Sequence, residues 1–150
     1  MAVTQQVAMS DREIHDYLAR NQTAVASFAT GDGPYAVPIT YRYDPEAGKF
    51  YFRLIFPRRS EKRELIPDIP PCWLISYVEG DTRHESVIAK GQPVELHEEN
   101  IRPEEVVQLG QTSRPLFEMW ADSRAEVDIR LYSMEPTELT GRRIDIENGE

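Results

Sequence analysis

The sequence predicts a mainly β protein, an antiparallel barrel with flanking helices, and three observations carry that prediction. Apolar residues alternate with period two through 35–43 and 49–56, the pattern of half-buried strands. Turn-forming clusters, Gly31-Asp32-Gly33-Pro34, Asp44-Pro45-Glu46-Ala47-Gly48 and Gly80-Asp81-Thr82-Arg83, separate the apolar runs at hairpin spacing. Helical periodicity is confined to the chain's start and to a late crossover. Five or six strands, closed or nearly closed on themselves, fit a single domain over 1–150, a length that supports one hydrophobic core.

Taken in order, Ser10-Asp11-Arg12-Glu13 has the capping-box arrangement, in which each side chain accepts from the other residue's backbone N–H. Ile14, Tyr17 and Leu18 follow at helical spacing, so a helix over about 11–21 packs one face inward. Residues 24–30 read as a strand. After the glycine turn, 35–43 is a second strand with Tyr35, Val37, Ile39, Tyr41 and Tyr43 on one face. A third, 49–56, sets Phe50, Phe52, Leu54 and Phe56 against Tyr51, Arg53 and Ile55, completing a meander. Pro57 ends it, 60–66 can form a short helix, and the prolines from Pro67 to Pro71 force an extended connection. Strands over 72–79 and 85–98 follow, with Gly91 and Pro93 marking a bulge or bend in the longer one. Pro103 opens a helical segment to about 110, a second helix covers 115–121, and 128–135 is a closing strand. Residues from about 140 to 150 read as a C-terminal tail.

The formal charge of −9 and pI near 4.9 predict a protein that repels nucleic acid and anionic membrane. Lys49, Lys62 and Lys90 are the lysines, the other basic residues being arginines, against 26 acids. That balance resembles adaptation to high internal salt, where a Debye length of ~3 Å at 1 M screens carboxylate repulsion; the alternative is an ordinary acidic protein. Apolar runs such as Cys72-Trp73-Leu74-Ile75 fall far short of the ~20 residues of a membrane helix. The N-terminus lacks the basic and apolar regions of a signal peptide, so the cytoplasm is the expected compartment. Cys72 has no partner for an internal disulfide and reads as a buried, inert thiol. His15, His84 and His97 are far apart and match no metal-ligand spacing. Dinucleotide, phosphate-loop and nucleophile-elbow motifs do not occur.

Several segments carry a resemblance when read in order. They are Ala26-Ser27-Phe28-Ala29-Thr30, then Gly31 through Tyr41 with Val37-Pro38-Ile39-Thr40, then Lys49-Phe50-Tyr51-Phe52-Arg53, then Ser60-Glu61-Lys62-Arg63-Glu64-Leu65. Their order and spacing, over about 23–95, resemble the flavin-binding split barrels of the pyridoxamine-phosphate-oxidase-like class. Arg114 through Trp120, Arg130-Leu131-Tyr132 and Thr140-Gly141-Arg142-Arg143 resemble the C-terminal parts of its small members. The resemblance implies that Val37, Pro38, Ile39 and Thr40 lie along a flavin ring, that Ser60 and Lys62 hold its phosphate, and that the protein is a homodimer with the cofactor, FMN, at the two-fold interface. True pyridoxamine-phosphate oxidases usually have Ser-Arg-Lys where this chain has Ser60-Glu61-Lys62, and their C-terminal substrate motifs are not evident here. The likeness therefore implies flavin binding more than oxidation of a vitamin B6 compound.

The residues make a physical case for the phosphate. A dianion needs fixed donors whose charge-assisted hydrogen bonds offset its desolvation. Ser60 suits a helix N-cap that aims free N–H groups at the anion, and Lys62 adds a point charge. Arg53, in an aromatic-rich strand, reaches an anion, extends to water or pairs with a carboxylate. Without the family order, Arg58 through Arg63 is a solvated basic turn with surface ion pairs worth ~0–1 kcal/mol each. Tyr35, Tyr41, Tyr43 and Tyr51 read as packing residues. Trp120 either closes the flavin pocket, of its own or the partner subunit, or is a core or interface tryptophan. The expected function is an FMN-dependent oxidoreductase acting on a small-molecule substrate or electron donor. The alternatives are a non-catalytic flavin or haem carrier or sensor, and a deazaflavin-dependent reductase.

Overall fold

A computed structural model describes residues 2–31, 33–57, 69–97, 103 and 127–147. Among these residues seven strands and one helix follow in the order β1 (Ala2–Ala8), α1 (Asp11–Arg20), β2 (Thr23–Thr30), β3 (Gly33–Asp44), β4 (Lys49–Pro57), β5 (Cys72–Glu79), β6 (Arg83–Leu96) and β7 (Val127–Glu147). The sheet order β1-β7-β4-β3-β2-β5-β6, with β6 also paired to β7, closes six strands into an antiparallel ring and adds β1 along β7. Closure leaves few free edges.

The meander forms as its turn residues dictate. Thr30 pairs with Gly33, whose φ of 117° lies where a side chain is disfavoured. At the next turn Asp44 Oδ1 accepts from the backbone of Glu46 at 3.0 Å and Ala47 at 3.3 Å, and Gly48 closes it with φ 66°. The predicted inward faces hold. Ile39, Tyr41, Tyr43, Phe50, Phe52 and Leu54 are buried in one core with Tyr132 and Met134, and Tyr35 and Val37 pack against it.

The capping box is present in both directions at α1, Ser10 Oγ accepting from Glu13 N and Glu13 Oε1 from Ser10 N, each at 3.2 Å. Ile14, Tyr17 and Leu18 are buried. The Tyr17 hydroxyl, in the core, lies 2.8 Å from Ser76 Oγ, which donates onward to the Thr23 carbonyl at 2.9 Å. Every polar atom of that buried chain thus has a partner.

The C-terminal expectation needs correction. Residues from about 140 are not a tail, because β7 continues to Glu147 between β6 on one side and β1 on the other. Its Pro136 faces Gly91 where the β6–β7 register shifts between Lys90 and Gly91; the irregularity falls at Gly91 as expected, but the extra residue, Thr137, belongs to β7 rather than to the strand that carries Gly91, and it accommodates the proline. The expected helices over 60–66, 103–110 and 115–121 lie outside the described residues, apart from Pro103.

Candidate functional site

The β3–β4 ladder is short. Its pairs run from Asp44↔Lys49 to Tyr41↔Phe52 and stop there, whereas β3 goes on pairing with β2 from Thr40 to Gly33 and β4 goes on pairing with β7 from Arg53 to Pro57. The barrel is therefore split between the first half of β3 and the second half of β4. Backbone parity shows what faces the split. The Tyr41 N–H donates to the Gln22 carbonyl at 2.7 Å, so Tyr41, Ile39, Val37 and Tyr35 turn their backbone groups toward β2. Pro34, Ala36, Pro38 and Thr40 turn theirs the other way. Both prolines thus sit where no ladder bond to β2 is lost, and they thin the donors on an edge open to other chains.

The same alternation sorts the four β3 residues predicted to meet a ligand. Ile39 is buried and Val37 packs on the core, so their side chains belong to the barrel interior. Pro38 is exposed, and Thr40 is a buried polar residue on the outward face. Thr40 and Arg53 are the first residues beyond the last β3–β4 pair and flank the mouth of the split. Arg53 is half-buried opposite Leu131, with its Nε buried. Tyr51 and Ser133, a cross-strand pair on that outward face, are buried too. Arg42, opposite Tyr51, adds a second guanidinium that the sequence reading missed. The signal was there in its period-two offset from Thr40. Ser60 and Lys62 follow β4 but lie, like Trp120, outside the described residues.

Burial pushes the phenols of Tyr35, Tyr41 and Tyr43 above their usual range. They stay protonated and act as packing groups rather than bases. Burial likewise pushes the Cys72 thiol up to about 12, which keeps it unreactive. His15 sits 3.5 Å from the Tyr43 hydroxyl, tying α1 to β3. No group of acidic, histidine or cysteine side chains able to hold a metal occurs among the described residues.

The described arrangement is an open strand edge beside a half-buried arginine. In comparison with known proteins, the family pattern for pyridoxamine 5'-phosphate oxidase matches residues 10–143. This chain belongs to the pyridoxamine 5'-phosphate oxidase family. Among solved structures, an FAD-binding protein from Mesorhizobium loti shares 18% identity at a TM-score of 0.70, covering 95% of this chain and 98% of that one. An FAD-binding protein from Mycobacterium smegmatis shares 13% at 0.66, covering 94% and 100%. The haem storage protein from Vibrio cholerae shares 8% at 0.56, covering 86% and 92%. Curated proteins give no match. At such identities the likeness establishes the split-barrel fold of the pyridoxamine 5'-phosphate oxidase family. Among the described residues no helix is long and apolar enough to cross a membrane.

Proposed function

We propose that this member of the pyridoxamine 5'-phosphate oxidase family is an FMN-binding oxidoreductase that works as a homodimer. The observation that carries the reading is the split itself, an edge of β3 turned toward an arginine whose Nε is buried. The donor chemistry fits a flavin phosphate. A dianion at the mouth would take charge-assisted hydrogen bonds from Arg53, with Ser60 and Lys62 of the following segment completing the set. Pro38 and Thr40 would lie along the ring, while Val37 and Ile39 hold that strand rigid from the core side. When bound, the flavin supplies the electron or hydride transfer, and the protein supplies position and electrostatics. The dimer is supported by Val94, an apolar residue 58% exposed on the same cross-strand row as Ser133, Tyr51 and Arg42, where a second copy would cover both it and the site.

An ultraviolet–visible spectrum of the purified protein tests the reading, with mass identification of any chromophore released on heating and sedimentation of the same sample. Flavin bands, released FMN and a mass of two chains are expected. Arg53→Ala and Lys62→Ala should each weaken FMN retention by about 10- to 100-fold, since hydrogen bonds to charged groups contribute ~1.5–3 kcal/mol. Unchanged retention in both variants would remove the phosphate assignment. A Soret band would move the reading to haem carriage. A colourless protein that takes up a deazaflavin but not FMN would make the ligand a diffusible cosubstrate.

A further inference from the structure

A second concavity opens on strands that take no part in the split. It has a free volume of about 200 Å³ and lies over the outward face of β5, β6 and β7. Paired residues share a face, so the register lays its floor out as two cross-strand rows, Tyr77–Ser86–Arg142 and Glu79–His84–Ile144.

The side chains here are unusually uncommitted. Arg143 and Arg83 each donate to Asp145 at 2.9 Å, whereas the side chain of Arg142, on the other face of β7, makes no hydrogen bond or ion pair among the described residues. Tyr77 is 68% exposed, the most open large apolar side chain among the described residues. The side chains of Ser86, His84 and Glu79 have no hydrogen-bond partner among those residues either. An aromatic face and a guanidinium thus meet one cavity, with a carboxylate at the opposite corner.

We propose that this pocket binds a small aromatic monocarboxylate, its ring over Tyr77 and Ser86 and its carboxylate on the Arg142 guanidinium. Bidentate geometry makes arginine the natural partner of that anion. Glu79 sets the polarity, because it repels a second negative group and accepts from a hydroxyl or amino group at the far end of the ring. Size agrees, since the volume is below the ~300 Å³ where sites for drug-sized ligands begin and suits one substituted ring. Arg142 and Glu79 stand at diagonal corners of this floor, on strands two spacings apart, about 10 Å, a separation that two long side chains can span to reach opposite ends of one substituted ring. The assignment is independent of the flavin reading.

Calorimetric titration with 4-hydroxybenzoate tests it. Saturable binding is expected, at least 10-fold weaker for 4-hydroxybenzyl alcohol, which lacks the carboxylate, and at least 10-fold weaker in Arg142→Gln. Glu79→Ala, which removes the acceptor, should erase the preference for 4-hydroxybenzoate over benzoate. FMN uptake by Arg142→Gln should equal that of the parent, and the circular dichroism of both variants checks their fold. Absence of saturable binding, or binding indifferent to Arg142→Gln, overturns the proposal. So does a parallel loss of FMN and 4-hydroxybenzoate in Arg142→Gln, which would assign the pocket to the cofactor. A changed sedimentation coefficient with ligand binding intact overturns it as well, by making Arg142 a protein contact.

Discussion

At the scale of single residues, two glycines set how closely strands and helix approach. A Cβ on Gly91 would lie 2.9 Å from the Glu135 carbonyl oxygen and 3.0 Å from Met134 Cγ. A Cβ on Gly141 would meet Ile14 Cγ1 at 2.8 Å and Met9 Sδ at 2.9 Å. The two clashes differ in kind. Around Gly141 the obstacles are side chains that can shift, while at Gly91 one is backbone held in the β6–β7 ladder. Gly91→Ala should therefore destabilise by about 1–3 kcal/mol, in the range of overpacked cores, and by more than Gly141→Ala. Urea unfolding of both variants checks it, and an equal or reversed order would show that the bulge can relax. The Gly141 contact also gives Thr140-Gly141-Arg142-Arg143 a packing reason, since the Met9 N–H donates to the Gly141 carbonyl at 2.9 Å and draws the start of α1 onto β7.

At the scale of elements, α1 is tied electrostatically to the far end of the chain. The Ser10 backbone N–H holds the Glu13 carboxyl below its usual range, helped by the Ser10 hydroxyl and by Arg143, whose Nε lies 3.1 Å away. A carboxyl depressed in the folded state stabilises above its unfolded value, and that stabilisation is lost as pH falls through the folded one. The stability gap between the parent and Glu13→Gln should therefore be full at neutral pH and shrink as the solution is acidified below about 4.5. Thermal melts across that interval measure it, and a gap independent of pH would remove Glu13's charge from the account. Ser10→Ala, which strips the cap, should cost about 1 kcal/mol. This helix was legible in the sequence because its signals are local. β1 was not, for its short, weakly apolar run acquires meaning only through a partner at the other end of the chain, Ala8↔Arg142 and Ala2↔Glu147. The length of β7 was hidden for a related reason. Pro136 and Gly141 look like strand breakers until the register shows one at a bulge and the other beneath a helix. The candidate site was half legible, since Thr40 and Arg53 stand out by residue type and order, but their meeting depends on where the β3–β4 ladder stops.

At the scale of the whole molecule, the acidic surface has to coexist with favourable ion pairs, and salt acts on the two in opposite directions. The described pairs lie at the surface with one or both partners partly exposed, Arg20–Glu85 at 3.3 Å and Lys90–Glu138 at 3.2 Å among them, and surface pairs contribute ~0–1 kcal/mol each. Against them stands a net charge of −9, whose self-repulsion is relieved when the chain expands. We propose that repulsion wins and that the protein is salt-adapted. Raising sodium chloride from 0.05 to 1 M should raise Tm by several degrees, about 2–4 °C per kcal/mol for a domain of this size. The shape of the curve identifies the cause. Screening is nearly complete once the Debye length falls from ~10 Å at 0.1 M toward ~3 Å at 1 M, so the rise should be steep at first and then level off. A rise linear in salt to the end would point instead to a general strengthening of apolar burial, and a fall in Tm would mean that the ion pairs outweigh the net charge.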